Sequence, residues 1–135
     1  MKSKVLYLVV FISVSIVLTS CSKFFIEGNG MVKEETRELG QFDKVANEGS
    51  FEVEIIRDSS FYVIIKAESN LLNLVSTDIS SGALIINTRE NLNNTRPMKL
   101  EVHVPEIKAL EMNGSGFIRF YGFETESFSA VINGS

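Results

Sequence analysis

The chain has 135 residues with 13 basic and 17 acidic side chains, a formal charge of −4, one cysteine and one histidine. No clustered Lys and Arg face is present, so nucleic acid is excluded as a partner class. With a single cysteine no intrachain disulfide can form, and the fold must rest on burial and backbone pairing.

In chain order the first element is residues 1–20. Lys2 and Lys4 precede an apolar run from Val5 to Leu18, followed by small residues and Cys21. The run has about 14 residues, short of the ~20 that cross a bilayer as a helix, and its charged start, apolar middle and small-residue end are those of an export signal. Leu18-Thr19-Ser20-Cys21 resembles the lipobox of bacterial lipoproteins. That resemblance implies cleavage before Cys21, diacylglycerol on its sulfur and acylation of the new amino group. A plain secretory signal and a short uncleaved anchor helix are the alternatives. Without residues 1–20 the chain keeps 11 basic and 17 acidic side chains, a charge of −6, and no polybasic stretch supplements the anchor.

Residues 21–36 read as the lipidated cysteine and a polar tether, with Gly28-Asn29-Gly30 inside it. Residues 37–135 read as one β domain. Its short β-branched and aromatic runs are Phe51–Ile56, Phe61–Ala67, Ala83–Thr88, Lys99–Val104, Phe117–Tyr121 and Phe128–Ile132, strands by composition and length. Phe51, Val53 and Ile55 alternate with Glu52 and Glu54, which gives the run one buried and one wet face. Asn70 to about Asp78 fits a short helix through Leu71, Leu74 and Val75, and equally a strand through Val75, Thr77 and Ile79.

The C-terminal third carries an internal repeat. Glu111-Met112-Asn113-Gly114-Ser115 recurs 20 residues on as Val131-Ile132-Asn133-Gly134-Ser135, a period that fits one coil of a solenoid. Asn-Gly supplies a tight corner, and one coil needs a neighbour to cover its inner face. The expected fold is therefore all-β, a solenoid-like stack of short strands. The second copy ends with the chain, so the stack is expected to be truncated, with Phe128, Ala130 and Ile132 as an uncovered apolar row.

The order of Gly28-Asn29-Gly30, Glu38 to Val45, Gly49 to Val53, Ala67 to Leu72, Gly82 to Ile86, Val102 to Pro105 and Gly114-Ser115-Gly116 resembles the head GIN domain family of auto-transporter adhesins, found in lipoproteins of Bacteroidetes. The resemblance implies an all-β, right-handed β-solenoid or β-helix-like stack of short strands on a lipoprotein stem and brings no catalytic residues. No enzyme, cofactor or metal is expected. The function it implies is an envelope lipoprotein, at the outer membrane, that binds protein or glycan; a carbohydrate-active enzyme on a parallel β-helix is the alternative.

Other constellations read weakly. Glu52 and Glu54 share one strand face, as paired acid and base groups could and as any solvated face does. His103 reads as a surface histidine on the wet face of its strand. Asn113 and Asn133 could pair as a ladder along the corners. Phe117, Phe120, Tyr121, Phe123 and Phe128 fit filling between coils, or a sugar-stacking surface.

Overall fold

The structure, a computed structural model, describes residues 24–124 and 127–134. The lipobox, Cys21 and Ser135 lie outside the described residues. Strands β1 (Ile26–Glu27), β2 (Val32–Glu38), β3 (Lys44–Asn47), β4 (Phe51–Arg57) and β5 (Tyr62–Glu68) are followed by a 3-10 turn at Leu72–Leu74. Then come β6 (Val75–Ser80), β7 (Ala83–Thr88), β8 (Leu92–Asn93), β9 (Met98–Val104), β10 (Ala109–Met112), β11 (Phe117–Tyr121) and β12 (Ser129–Ile132). Of the two readings of Asn70 to Asp78, the strand prevails from Val75 onward. Val75 is buried there, while Ser76, Thr77 and Asp78 complete a hairpin with β7.

Two five-stranded sheets, open rather than closed into a barrel, face each other. One has the order β11-β4-β9-β5-β2, the other β12-β10-β3-β7-β6, and β1 pairs with β8 beside them. Alternation decides which side chains meet between the sheets. Phe51, Val53 and Ile55 of β4, Leu100, Val102 and Val104 of β9, and Val63, Ile65 and Ala67 of β5 enter the core from one sheet. Val45, Val75, Leu84, Ile86 and Leu110 enter from the other. Each fully buried large side chain contributes on the order of 1.5–3 kcal/mol.

The central strands are parallel, and their order in space is not their order in sequence. β3 and β4 form one two-strand turn, with β7 and β9 stacked on one side of it and β10 and β11 on the other. β12 then adds to β10. The chain leaves β4 through antiparallel β5 and β6, returns as β7, and crosses back over the first turn to lay down β10. A simple coil-after-coil progression thus holds only from β10 to β12, at the 20-residue spacing of the repeat. The reason is visible in β5 and β2, whose antiparallel pairings extend the sheet sideways.

Within residues 21–36, read from the sequence as a tether, residues 32–36 belong to β2. Val32–Glu38 pairs with β5 along its full length, from Val32 opposite Glu68 to Glu38 opposite Tyr62. Its polar sequence hides a strand because edge pairing needs backbone groups alone, and the charges Lys33, Glu34, Glu35, Arg37 and Glu38 guard that edge against another chain. Arg37 also crosses to the second sheet, donating to the carbonyls of Val75 (2.7 Å) and Leu72 (2.9 Å). The fold therefore begins ahead of residue 37. Between β6 and β7, Ser81 (φ 51°) and Gly82 (φ 75°) form the two-residue loop with both φ positive that matches strand twist in a hairpin.

Candidate binding surface

One edge of the stack is a column of corners. The pairing offsets superimpose Glu48-Gly49-Ser50, Asn113-Gly114-Ser115 and Asn133-Gly134. The Asn113 amide donates to the Asn47 carbonyl (2.9 Å), and the Asn133 amide to the Met112 carbonyl (2.8 Å). Buried Asn47 shapes the first corner: its side chain donates to the Phe51 carbonyl (3.1 Å) and accepts from the Gly49 amide (3.2 Å). Glycine is required by close approach. A Cβ on Gly134 would overlap the Gly114 carbonyl oxygen, and one on Gly114 would overlap the Gly49 carbonyl oxygen.

Side chains continue the column. Asn133 Nδ2 donates to Asn113 Oδ1 (2.9 Å), Asn113 Nδ2 to Glu111 (2.8 Å), and Asn87 Nδ2 to Glu48 (3.0 Å). The Ser50 and Ser115 hydroxyls meet at 2.8 Å. The structure thus brings Asn113, Gly114, Ser115, Asn133 and Gly134 together. It adds a third corner, 48–50, that a search at a fixed period misses because it lies 65 residues from its partner and has Glu for Asn. Gly-Ser before Phe51, against Gly-Ser-Gly at 114–116, was the available signal.

Among the described residues the column ends beside an apolar groove. Leu110, Met112, Ile118, Phe120, Phe128 and Ile132 line a groove of about 160 Å³ beside β12. Ile132 is 72% exposed, and Phe120, Tyr121 and Val131 are exposed with it. The rings of Phe120 and Phe128 lie 5.2 Å apart. The aromatic stretch divides: Phe123 and Phe128 pack on the core, Phe120 lies on the inward row opposite Ile55 and lines the groove, and Tyr121 is exposed on the other face of β11. The outer edge of β12 has no partner among the described residues, and the strand contains neither charge nor proline, in contrast to β2.

The polar candidates are placed as follows. Glu52 and Glu54 lie on the outer face of the first sheet, each beside a cation: Lys99 Nζ is 3.2 Å from Glu52, and Arg119 is 3.8 Å from Glu54. Lys66 donates to Glu101 nearby (2.7 Å), which raises the lysine pKa. This is a lattice of cross-strand ion pairs on a wet face. His103 departs from the sequence reading: its side chain is only 12% exposed. It stacks on Tyr62 at 4.1 Å, and Nδ1 lies 3.2 Å from Asp58. Tyr62 also donates to Asp58 (3.2 Å). The amide of Ser60 chiefly lowers the Asp58 pKa, aided by Tyr62 and His103. Ring stacking against the neighbouring strand covers a residue that alternation alone assigns to water.

The fully buried charge is Glu68, 0% exposed at the end of β5. It accepts from the Thr95 hydroxyl (2.6 Å), the Thr95 amide (2.8 Å), the Arg96 amide (3.3 Å) and the Gly30 amide (2.6 Å). The Thr95 hydroxyl foremost, with these amides, outweighs desolvation and holds the carboxyl below its ordinary pKa. Such a carboxylate is a clamp between segments distant in sequence.

Comparison with known proteins follows this geometry. A family model described as "Putative auto-transporter adhesin, head GIN domain" matches residues 41–135. No curated protein matches. A structure from Parabacteroides distasonis described as a "putative lipid binding protein" is similar at 22% identity and TM-score 0.64, over 72% of this chain and 44% of that one. A "putative adhesin" from Parabacteroides merdae is similar at 15% identity and TM-score 0.61, over 70% and 42%. One from Bacteroides fragilis has 12% identity and TM-score 0.65, over 81% and 57%. At these identities the likeness shows the fold, and the matched region spans about half the length of those proteins.

Proposed function

The chain belongs to the head GIN domain family of auto-transporter adhesins, and we propose from that premise that it is a non-catalytic binding protein of the bacterial cell envelope. It is held by lipid on Cys21 and contacts a protein or glycan. The observation that carries this reading is the apolar groove beside β12, which Phe120, Phe128, Val131 and Ile132 line, with Phe120, Val131 and Ile132 exposed. Contiguous exposed apolar surface of this kind marks an interaction site, and aromatic rings suit either a sugar face or a protein partner. Solved relatives described as adhesins support the binding role.

The anchor reading is supported by Leu18 to Cys21, and the location at the outer membrane follows from it as part of the proposal. Among the described residues no helix is long and apolar enough to cross a membrane. The solenoid-like reading of the fold is supported by the 20-residue register of β12 on β10.

The test is adhesion of cells displaying the protein to immobilised glycoprotein before and after enzymatic removal of its glycans. Cells lacking the protein should adhere several-fold less. Phe120→Ser and Ile132→Lys should reproduce the loss with an unchanged melting temperature. Equal adhesion with and without the protein overturns the binding role; loss on deglycosylation identifies the glycan as the ligand.

A further inference from the structure

The end of the molecule opposite β12 carries a second apolar surface. Phe24 is 87% exposed, Phe25 57% and Met31 62%, with Ile26 and Val32 also exposed. Five large apolar side chains thus face water within nine residues. In the sheets, β12 and β11 form one end of the two orders, while β6 and β2 form the other. β1 and the start of β2 belong to that second end, tied to Glu68, Ser69 and Asn70 at the close of β5.

This segment is held as firmly as the sheet it joins. The amides of Ile26 and Gly28 donate to the carbonyls of Asn91 (2.8 Å) and Asn93 (2.9 Å). The Gly30 amide donates to buried Glu68, and Asn70 Nδ2 donates to the Glu27 carbonyl (2.7 Å). Asn29 donates from its amide to Asn70 (3.1 Å) and from its side chain to Ser69 (2.8 Å). A Cβ on Gly28 would overlap the Glu68 carboxylate, so the chain lies directly on the clamp. Ile26, Met31 and Val32 are therefore fixed on the body, with Phe24 and Phe25 directly before them in the chain.

Cys21 precedes Phe24 by three residues, a span of at most about 11 Å of chain. An apolar group within that distance of an anchored lipid lies at the depth of the headgroup and acyl boundary, where interfacial side chains bury about 5–10 Å deep. We propose that Phe24, Phe25, Ile26, Met31 and Val32 seat the domain on the bilayer that holds the lipid of Cys21. This rests on the lipid-anchor reading. The occupant is a membrane surface, recognised by apolar insertion: Lys33 stands against Glu27, Glu34 and Glu35, so anionic headgroups gain little. The body then sits directly on the membrane with the β12 edge directed away, instead of swinging on a spacer.

The test uses the processed protein reconstituted in phosphatidylcholine vesicles. With the Cys21 sulfur held in its thioether to diacylglycerol, Met31→Cys provides the sole free thiol for an environment-sensitive fluorophore, and Val131→Cys provides the comparison at the opposite end. The label at 31 should be blue-shifted and quenched by brominated lipid several-fold more than the label at 131. The difference should persist between about 0.05 and about 0.5 M salt, because apolar insertion is not screened. Adding Phe24→Ser, Phe25→Ser and Val32→Ser should abolish quenching at 31 without shifting the melting temperature. Equal water exposure at 31 and 131 in protein that floats with the vesicles overturns the seating surface and leaves the anchor standing. Quenching that survives the triple substitution overturns it too, by showing mere nearness to the lipid. Intact mass reads the anchor separately. If Cys21 is unmodified, the same label on a Cys21→Ser background decides, with quenching supporting the surface and its absence refuting it.

Discussion

Gly114→Ala puts the stacked corners to a quantitative test. The new methyl group would overlap the Gly49 carbonyl oxygen and lie 2.8 Å from its carbonyl carbon and 3.1 Å from its nitrogen. These are backbone atoms and cannot rotate aside, so the corner must lift by roughly 1 Å to reach ordinary contact. The Asn113 to Asn47 bond at 2.9 Å and the Ser50 to Ser115 contact at 2.8 Å would then exceed hydrogen-bond range. Two lost bonds at about 1 kcal/mol each, with some packing loss along β10, give about 2–3 kcal/mol. For a domain of this size that is a fall of about 8–15 °C in melting temperature.

Two other glycines calibrate the result. Gly40→Ala meets only Ile79 Cδ1, at 3.6 Å, and Gly40 lies outside the positive-φ region, so it should be neutral or stabilising by up to about 1 kcal/mol. Gly30→Ala has open space but φ +76°, so it should cost about 1–2 kcal/mol from backbone strain alone. Urea and thermal unfolding of the three variants provide the measurement. Gly114→Ala melting with Gly40→Ala would refute the close approach and with it the stacking of the corners.

Three further outcomes are expected. Because Glu68 has a lowered pKa in the fold, its stabilisation is present above the ordinary value of 4.5 and is lost as pH falls through the folded value. Hydrogen exchange at Gly30, Thr95 and Arg96 should therefore accelerate first on acidification, and Glu68→Gln should remove that acid step while weakening the clamp at neutral pH. The charge-free edge of β12 should pair with a second copy, so that Val131→Lys with Ile132→Lys shifts the sedimentation profile toward monomer; a parent already monomeric at high concentration contradicts this. Cys21→Ser should abolish the mass added by acylation and release the protein from the detergent phase, whereas a parent of unmodified mass would end the lipid-anchor reading.

Local pattern determined much of this protein. Alternation in Phe51–Ile56, and in Lys99–Val104 except at His103, assigned the buried and wet faces correctly, because in a strand the side on which a residue leaves the sheet depends on its parity. The 20-residue echo of Asn113-Gly114-Ser115 located stacked corners, since a backbone approach that excludes a Cβ leaves its trace in glycine.

Tertiary structure decided what parity and spacing do not encode. The third corner at Glu48-Gly49-Ser50 joins the column through a parallel pairing between residues 65 apart in sequence, and nothing local sets such a register. β2 escaped notice because its partners are backbone groups, so Val32–Glu38 shows no apolar alternation. His103 is covered by Tyr62 of the adjacent strand, a contact that exists only once β5 lies against β9. The placement of β3 and β4 between turns that follow them in sequence arises the same way: sheet order is chosen by which apolar faces and edges are still open when each strand arrives, a property of the assembled stack rather than of any segment.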